Sequence, residues 1–181
     1  MYGTRLTKAE KWILAGIPVL FAVGTFMHFL YQISGETYVT GLVAPVNESV
    51  WEHMKMVLWP MILWWSVYGV FLGKPDTLDK DKWFGAGLAA VLVSLISIPL
   101  LYYFYTSAFG VELLWVDIFI LFLAITLGQL MGLHLYRYSQ GMQWQAVLLI
   151  FGAVILLFLL FTVYPPHFPL FQDKTTGKYG I

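Results

Sequence analysis

QWQAVLLIFGAVILLFLLFTVY, residues 143–164, carries no charged side chain, and its polar interruptions are two glutamines at the start and Thr162 near the end. A hydrocarbon core about 30 Å thick takes about 20 apolar residues to cross as a helix, because only a helix or a closed barrel satisfies its own backbone there. This stretch has the length and composition of such a helix. Four others read the same way, over about 12–33, 50–72, 83–105 and 113–136. The expected fold is therefore all-α: a polytopic membrane protein, one membrane domain over 1–181, with five transmembrane helices and a C-terminal tail at 165–181.

The composition agrees. Of 181 residues, 60% are hydrophobic and 11% charged, far from a soluble domain's roughly 25% charged. Ten Lys and Arg balance ten Asp and Glu, so the chain lacks the single-signed basic field that nucleic-acid binding requires. With no cysteine, disulfides, thiolate nucleophiles and Cys-ligated metals are excluded.

Orientation follows from the basic residues of the connections. Arg5, Lys8 and Lys11 precede the first helix, Lys74, Lys80 and Lys82 lie between the second and third, and Arg137 follows the fourth. The opposite side has only Lys174 and Lys178, in the tail. The positive-inside rule predicts a multi-pass cell-membrane protein with a cytoplasmic N-terminus and an external C-terminus. Trp12, Trp83 and Trp144 at the inner edge, and Tyr31, Trp51, Trp115 and Tyr164 at the outer, read as interfacial belts. The charge cluster Asp76 to Lys82 reads as a solvated inner loop. Gly87, Ala90, Ser94 and Ser97, with Ala124, Gly128 and Gly132, form two stripes of small residues where helix backbones approach. Pro99 is expected to kink the third helix.

Ionisable residues near membrane depth are costly, and here they gather at the outer end. His28 lies near the outer end of the first helix. The second opens with Asn47, Glu48, Ser49, Glu52, His53 and Lys55, the fourth carries Glu112 and Asp117, the third ends near Tyr102, and His167 and Asp173 follow the fifth. His28, Glu48 and His53 form a candidate set of N/O ligands for a divalent metal such as zinc. Glu52 and Asp117 are the candidate proton carriers, and the sequence offers no covalent nucleophile. Local structure explains part of this set. Ser49 and Glu52 fit a capping box, Asn47 is an alternative cap, and Glu52 with Lys55 can neutralise each other at i, i+3. Capping does not explain His28 or His53.

The segments from His28 through Gly35, Pro45-Val46-Asn47-Glu48-Ser49-Val50-Trp51-Glu52-His53-Met54-Lys55, and Pro169 through Ile181 resemble a family of small prokaryotic membrane proteins of unknown function. The resemblance spans essentially the whole chain and implies a bacterial or archaeal cell-membrane protein, with no established activity. The chain also looks distantly like membrane hydrolases that hold a metal with His and Asp from several helices, although their HxxxH pair has no counterpart here.

Three functional readings stay open at this point. The first is a metal-dependent membrane enzyme acting on a lipid or lipid-like substrate. The second is a small transporter, channel or ligand-binding protein, as a homo-oligomer, and the third is a structural or sensory partner of another membrane protein. Below Asp117 the fourth helix continues with Leu121, Ala124 and Gly128, so its polar stripe stops, which favours a one-sided site. The tail spends Phe168, Leu170, Phe171, Tyr179 and Ile181 on apolar surface. It is expected to fold over the outer cavity as a lid, bringing His167 or Asp173 toward Glu48, Glu52 and His53, the alternative being an interfacial anchor with its aromatics among the headgroups.

Overall fold

The computed structural model describes residues 5–74 and 78–181, and its secondary structure is helical. Asp76, part of the charge cluster read from the sequence, lies outside the described residues. Five helices are long and apolar enough to cross a membrane: α1 (Lys8–Ile33), α3 (Val50–Val67, continued by a π-helical turn to Leu72), α4 (Lys80–Phe109), α5 (Leu114–Tyr138) and α6 (Trp144–Val163). Their positions match the five sequence spans to within a few residues. A short helix, α2 (Tyr38–Val43), interrupts the connection between α1 and α3, where the sequence reading had only a loop.

Local chemistry starts the helices. Thr7 and Glu10 form a reciprocal capping box on α1, and Asp79 caps α4 by accepting from the Lys82 N–H. The capping box expected at Ser49 is only half present: Ser49 Oγ accepts from the Glu52 N–H, but the Ser49 N–H donates to Asn47 Oδ1. The Glu52 side chain is thereby left for other partners. Pro99 lies inside α4, which continues as helix to Phe109.

The most extensive helix pairing is α4 on α5. Ser94 Oγ lies 2.9 Å from both its own-helix Ala90 carbonyl and the Ala124 carbonyl across the interface. A Cβ on Gly128 would stand 2.0 Å from Ser94 Oγ, so the small-residue stripes are close-packing surfaces. Toward the N-terminal end of α1, Gln129 accepts from Trp65 Nε1 and donates to the Ile13 carbonyl, joining α1, α3 and α5.

The aromatic-belt reading needs correction at two positions. Trp83 is fully buried, with Nε1 donating to the Trp65 carbonyl, and Trp51 is buried, stacked on Phe158 at 4.2 Å. Both are core residues because they sit on helix faces turned toward other helices, whereas Trp115 and Tyr164 are exposed.

The two ends of the bundle differ. At one, Arg137 of α5 pairs with Glu10 of α1 at 2.6 Å, and Asp81 of α4 accepts from the Trp144 N–H of α6. At the other stand α2, the start of α3, the α4–α5 turn and the tail. The tail folds back: a 3₁₀ turn (Pro169–Phe171) seats Phe171 against Trp51 and Phe161, and the Ile181 N–H donates to the Thr162 carbonyl. Phe171 is buried and Leu170 and Tyr179 are half-buried, while Phe168 and Ile181 remain exposed.

Candidate functional site

A cavity of about 500 Å³ opens at the end carrying the tail. Its wall takes His28 from α1, Glu48 from the loop before α3 and His53 from α3, Tyr102 from α4, Glu112 from the α4–α5 turn, Asp117 from the start of α5, and Lys174 from the tail.

Three of these form the tightest cluster. His53 Nε2 is 3.4 Å and His28 Nε2 is 3.9 Å from the Glu48 carboxylate, and the two rings are 5.3 Å apart. One ligand atom from each of the three lies within 4.8 Å of the others. A tetrahedral zinc with bonds of roughly 2.0–2.1 Å spaces its ligands about 3.3 Å apart, so a small inward movement would close this set on an ion. His53 is already aimed: Nδ1 lies 2.8 Å from the Ser49 carbonyl and donates to it, leaving Nε2 to face Glu48. Such an outer hydrogen bond fixes the ring and tautomer of a metal-binding histidine. Glu48 is held below the usual carboxylate range, first by its hydrogen bond to His53, whose Nε2 proton would leave when an ion is bound, and against the cost of partial burial. It is therefore ionised across the neutral range. His28 Nδ1 is buried without a hydrogen-bond partner.

On the opposite wall, Tyr105 donates to Asp117 Oδ1 at 2.7 Å. Tyr102 donates to Glu112 and receives Lys174 Nζ at 2.6 Å. Three carboxylates thus face the cavity against one lysine, a balance that a divalent cation would neutralise.

The remaining sequence candidates lie elsewhere. Glu52 does not line the cavity. Its Oε2 accepts from Lys55 Nζ at 2.6 Å and from the Val46 N–H at 3.1 Å, and its Oε1 lies 3.3 Å from Thr162 Oγ1. Lys55 Nζ also donates to the Gly41 carbonyl at 2.8 Å. This buried pair fastens α2 and residues 44–49 to α3 and α6, and so fixes the loop that presents Glu48. Asn47 and Ser49 serve as caps, and Asn47 Nδ2 also donates to the Gly180 carbonyl of the tail. His167 is exposed and packs on Tyr179. Asp173 turns into its own loop, accepting from Thr175 and Thr176, rather than toward Glu52. Burial opposes its ionisation, yet these bonds outweigh that cost and hold the carboxyl at about 2. The tail residues that reach the cavity are Lys174, weighed in the sequence only for orientation, and Thr175.

A family model matches residues 1–181. The chain belongs to the family of unknown function DUF6512. No curated protein and no solved structure matches it. Membership agrees with the expected family of unknown function, and it brings no activity with it.

Proposed function

We propose that this family member is an integral membrane protein of the cell membrane, with its N-terminus in the cytoplasm, and that its outward cavity binds a divalent metal, zinc by donor set. The metal serves a hydrolytic enzyme acting on a lipid or lipid-like substrate. The observation that carries the reading is the convergence of His28, Glu48 and His53, from two helices and a loop, on one wall of the cavity. Two imidazoles and a carboxylate leave a fourth position for water, whose pKa a zinc ion brings down to about 7. Asp117, held by Tyr105, stands among the cavity's groups to accept or return a proton. The close α4–α5 contact at Ser94 and Ala124, one helical turn beyond the lining residues Ile98 and Leu121, supports a one-sided reaction chamber over a transport path.

Elemental analysis of protein purified without chelator or metal-affinity resin tests the proposal. One zinc per chain is expected, falling to background in His28→Gln and in His53→Gln with folding retained. Metal-free wild-type protein that also fails to bind added zinc in equilibrium dialysis would refute it.

A further inference from the structure

The cavity is layered along the helix axes. Its polar groups, among them Glu48, His53, Tyr102, Asp117 and Lys174, lie within the outer two turns of their helices or in loops beyond them. One turn further in, every element turns apolar or nearly so: Thr25 on α1, Met56 on α3, Ile98 on α4, and Ile120 and Leu121 on α5. At 1.5 Å rise per residue, this second layer lies about 4–6 Å deeper than the first. Among the described residues, no charged side chain lines that floor.

The rim is equally uneven. Phe29 of α1 is 50% exposed and Leu114 of α5 is 69% exposed, yet both line the cavity. A side chain that is both wall and outer surface marks an edge of the opening. The polar side of that edge is Glu112, Lys174 and Thr175. The edge therefore runs from a charged lip to two exposed apolar side chains, Phe29 near the outer end of α1 and Leu114 at the start of α5. Both belong to helices long and apolar enough to cross a membrane.

We infer that the cavity seats an amphiphile with one alkyl chain and a small polar head, the chain entering sideways between Phe29 and Leu114 to rest on Met56, Ile98 and Leu121. The head stays among the polar groups of the mouth. A freely water-soluble ligand has no use for an apolar edge and floor. A two-chain lipid exceeds a floor bounded by residues that are themselves buried. The inference deepens the proposed function and rests on its membrane placement, but the chain seat uses none of the metal ligands.

The test is photo-crosslinking in lipid nanodiscs with a dodecyl phosphate carrying a diazirine at the chain end, the adducts being mapped by mass spectrometry. Adducts are expected on Met56, Ile98 and Leu121, competed away by dodecyl phosphate and unaffected by butyl phosphate. Competition by butyl phosphate or inorganic phosphate would show recognition of the phosphate alone and overturn the chain seat. Adducts confined to lipid-facing residues such as Leu149 and Leu156 of α6 would overturn it as well. Leu121→Phe, which fills the floor, should lose the adducts while zinc binding is unchanged; undiminished adducts would also count against the seat. Wild-type protein that neither holds nor binds added zinc, with the adducts intact, would sink the metal reading alone.

Discussion

Glu52 shows how much depends on where one carboxylate points. From the sequence it is equally a cap, a partner of Lys55 or a proton carrier; in the fold it is 2% exposed and bound to a lysine that is 0% exposed. Removing one member of a buried pair strands the other's charge, which typically costs about 3–5 kcal/mol. Glu52→Gln should therefore lower thermal stability by about that amount. Zinc should still bind to whatever fraction remains folded. Lys55→Met added to Glu52→Gln should recover part of the loss, because no charge is then left unpaired. Melting curves of the two variants in detergent check this; an unchanged melt with activity abolished would return Glu52 to a catalytic role.

At the scale of elements, the α4–α5 contact and the tail loop make separate demands. The Cβ of an alanine at Gly128 would lie 2.4 Å from the backbone oxygen of Ala90, an atom that cannot rotate away. Gly128→Ala should therefore destabilise by about 1–3 kcal/mol, the usual cost of overpacking. Gly152→Ala on α6 is the control: its Cβ meets nothing within 4 Å, so helix propensity should make the change neutral or stabilising. The two melting temperatures should move in opposite directions or differ by that cost. The tail loop depends on the ionised form of Asp173. Its folded carboxyl titrates at about 2 against an ordinary value of 3.8. The linked stability is thus fully present above about pH 4 and is lost as pH falls through about 2. Hydrogen exchange at the Lys174–Lys178 amides should accelerate over that window beyond its intrinsic pH dependence. Asp173→Asn should already show the loosened loop at neutral pH.

For the whole molecule, the central expectation is five crossings with the two chain ends on opposite faces. The chain has no cysteine, so single cysteines at exposed Lys8 and Lys178 report cleanly on their surroundings. An impermeant maleimide applied to intact cells should label Lys178→Cys and reach Lys8→Cys only after lysis. The reverse pattern would invert the orientation, and labelling of both in intact cells would remove the odd number of crossings. The Glu10–Arg137 pair already joins the start of α1 to the end of α5, as antiparallel packing of an odd and an even span requires.

The sequence alone determined the five helices, because hydrocarbon-length apolar runs are a local property that the backbone's need for internal hydrogen bonds converts directly into helix. It also marked His28, Glu48 and His53, since ionisable groups at such depth stand out against apolar neighbours. Which way a side chain faces was decided only by the tertiary structure. In helices that are apolar nearly all round, lipid and protein interior reward the same residues, so hydropathy does not tell a buried face from an outer one. That is why Trp51 and Trp83 read as belt residues and proved to be core. Glu52, likewise, could not be separated from His53 until α2, α6 and Lys55 closed around it. Lys174 reaches Tyr102 across 72 positions of chain. No local pattern encodes that contact; it arises because Phe171 finds an apolar seat on Trp51 and Phe161, and the Asp173 turn then carries the lysine over the cavity.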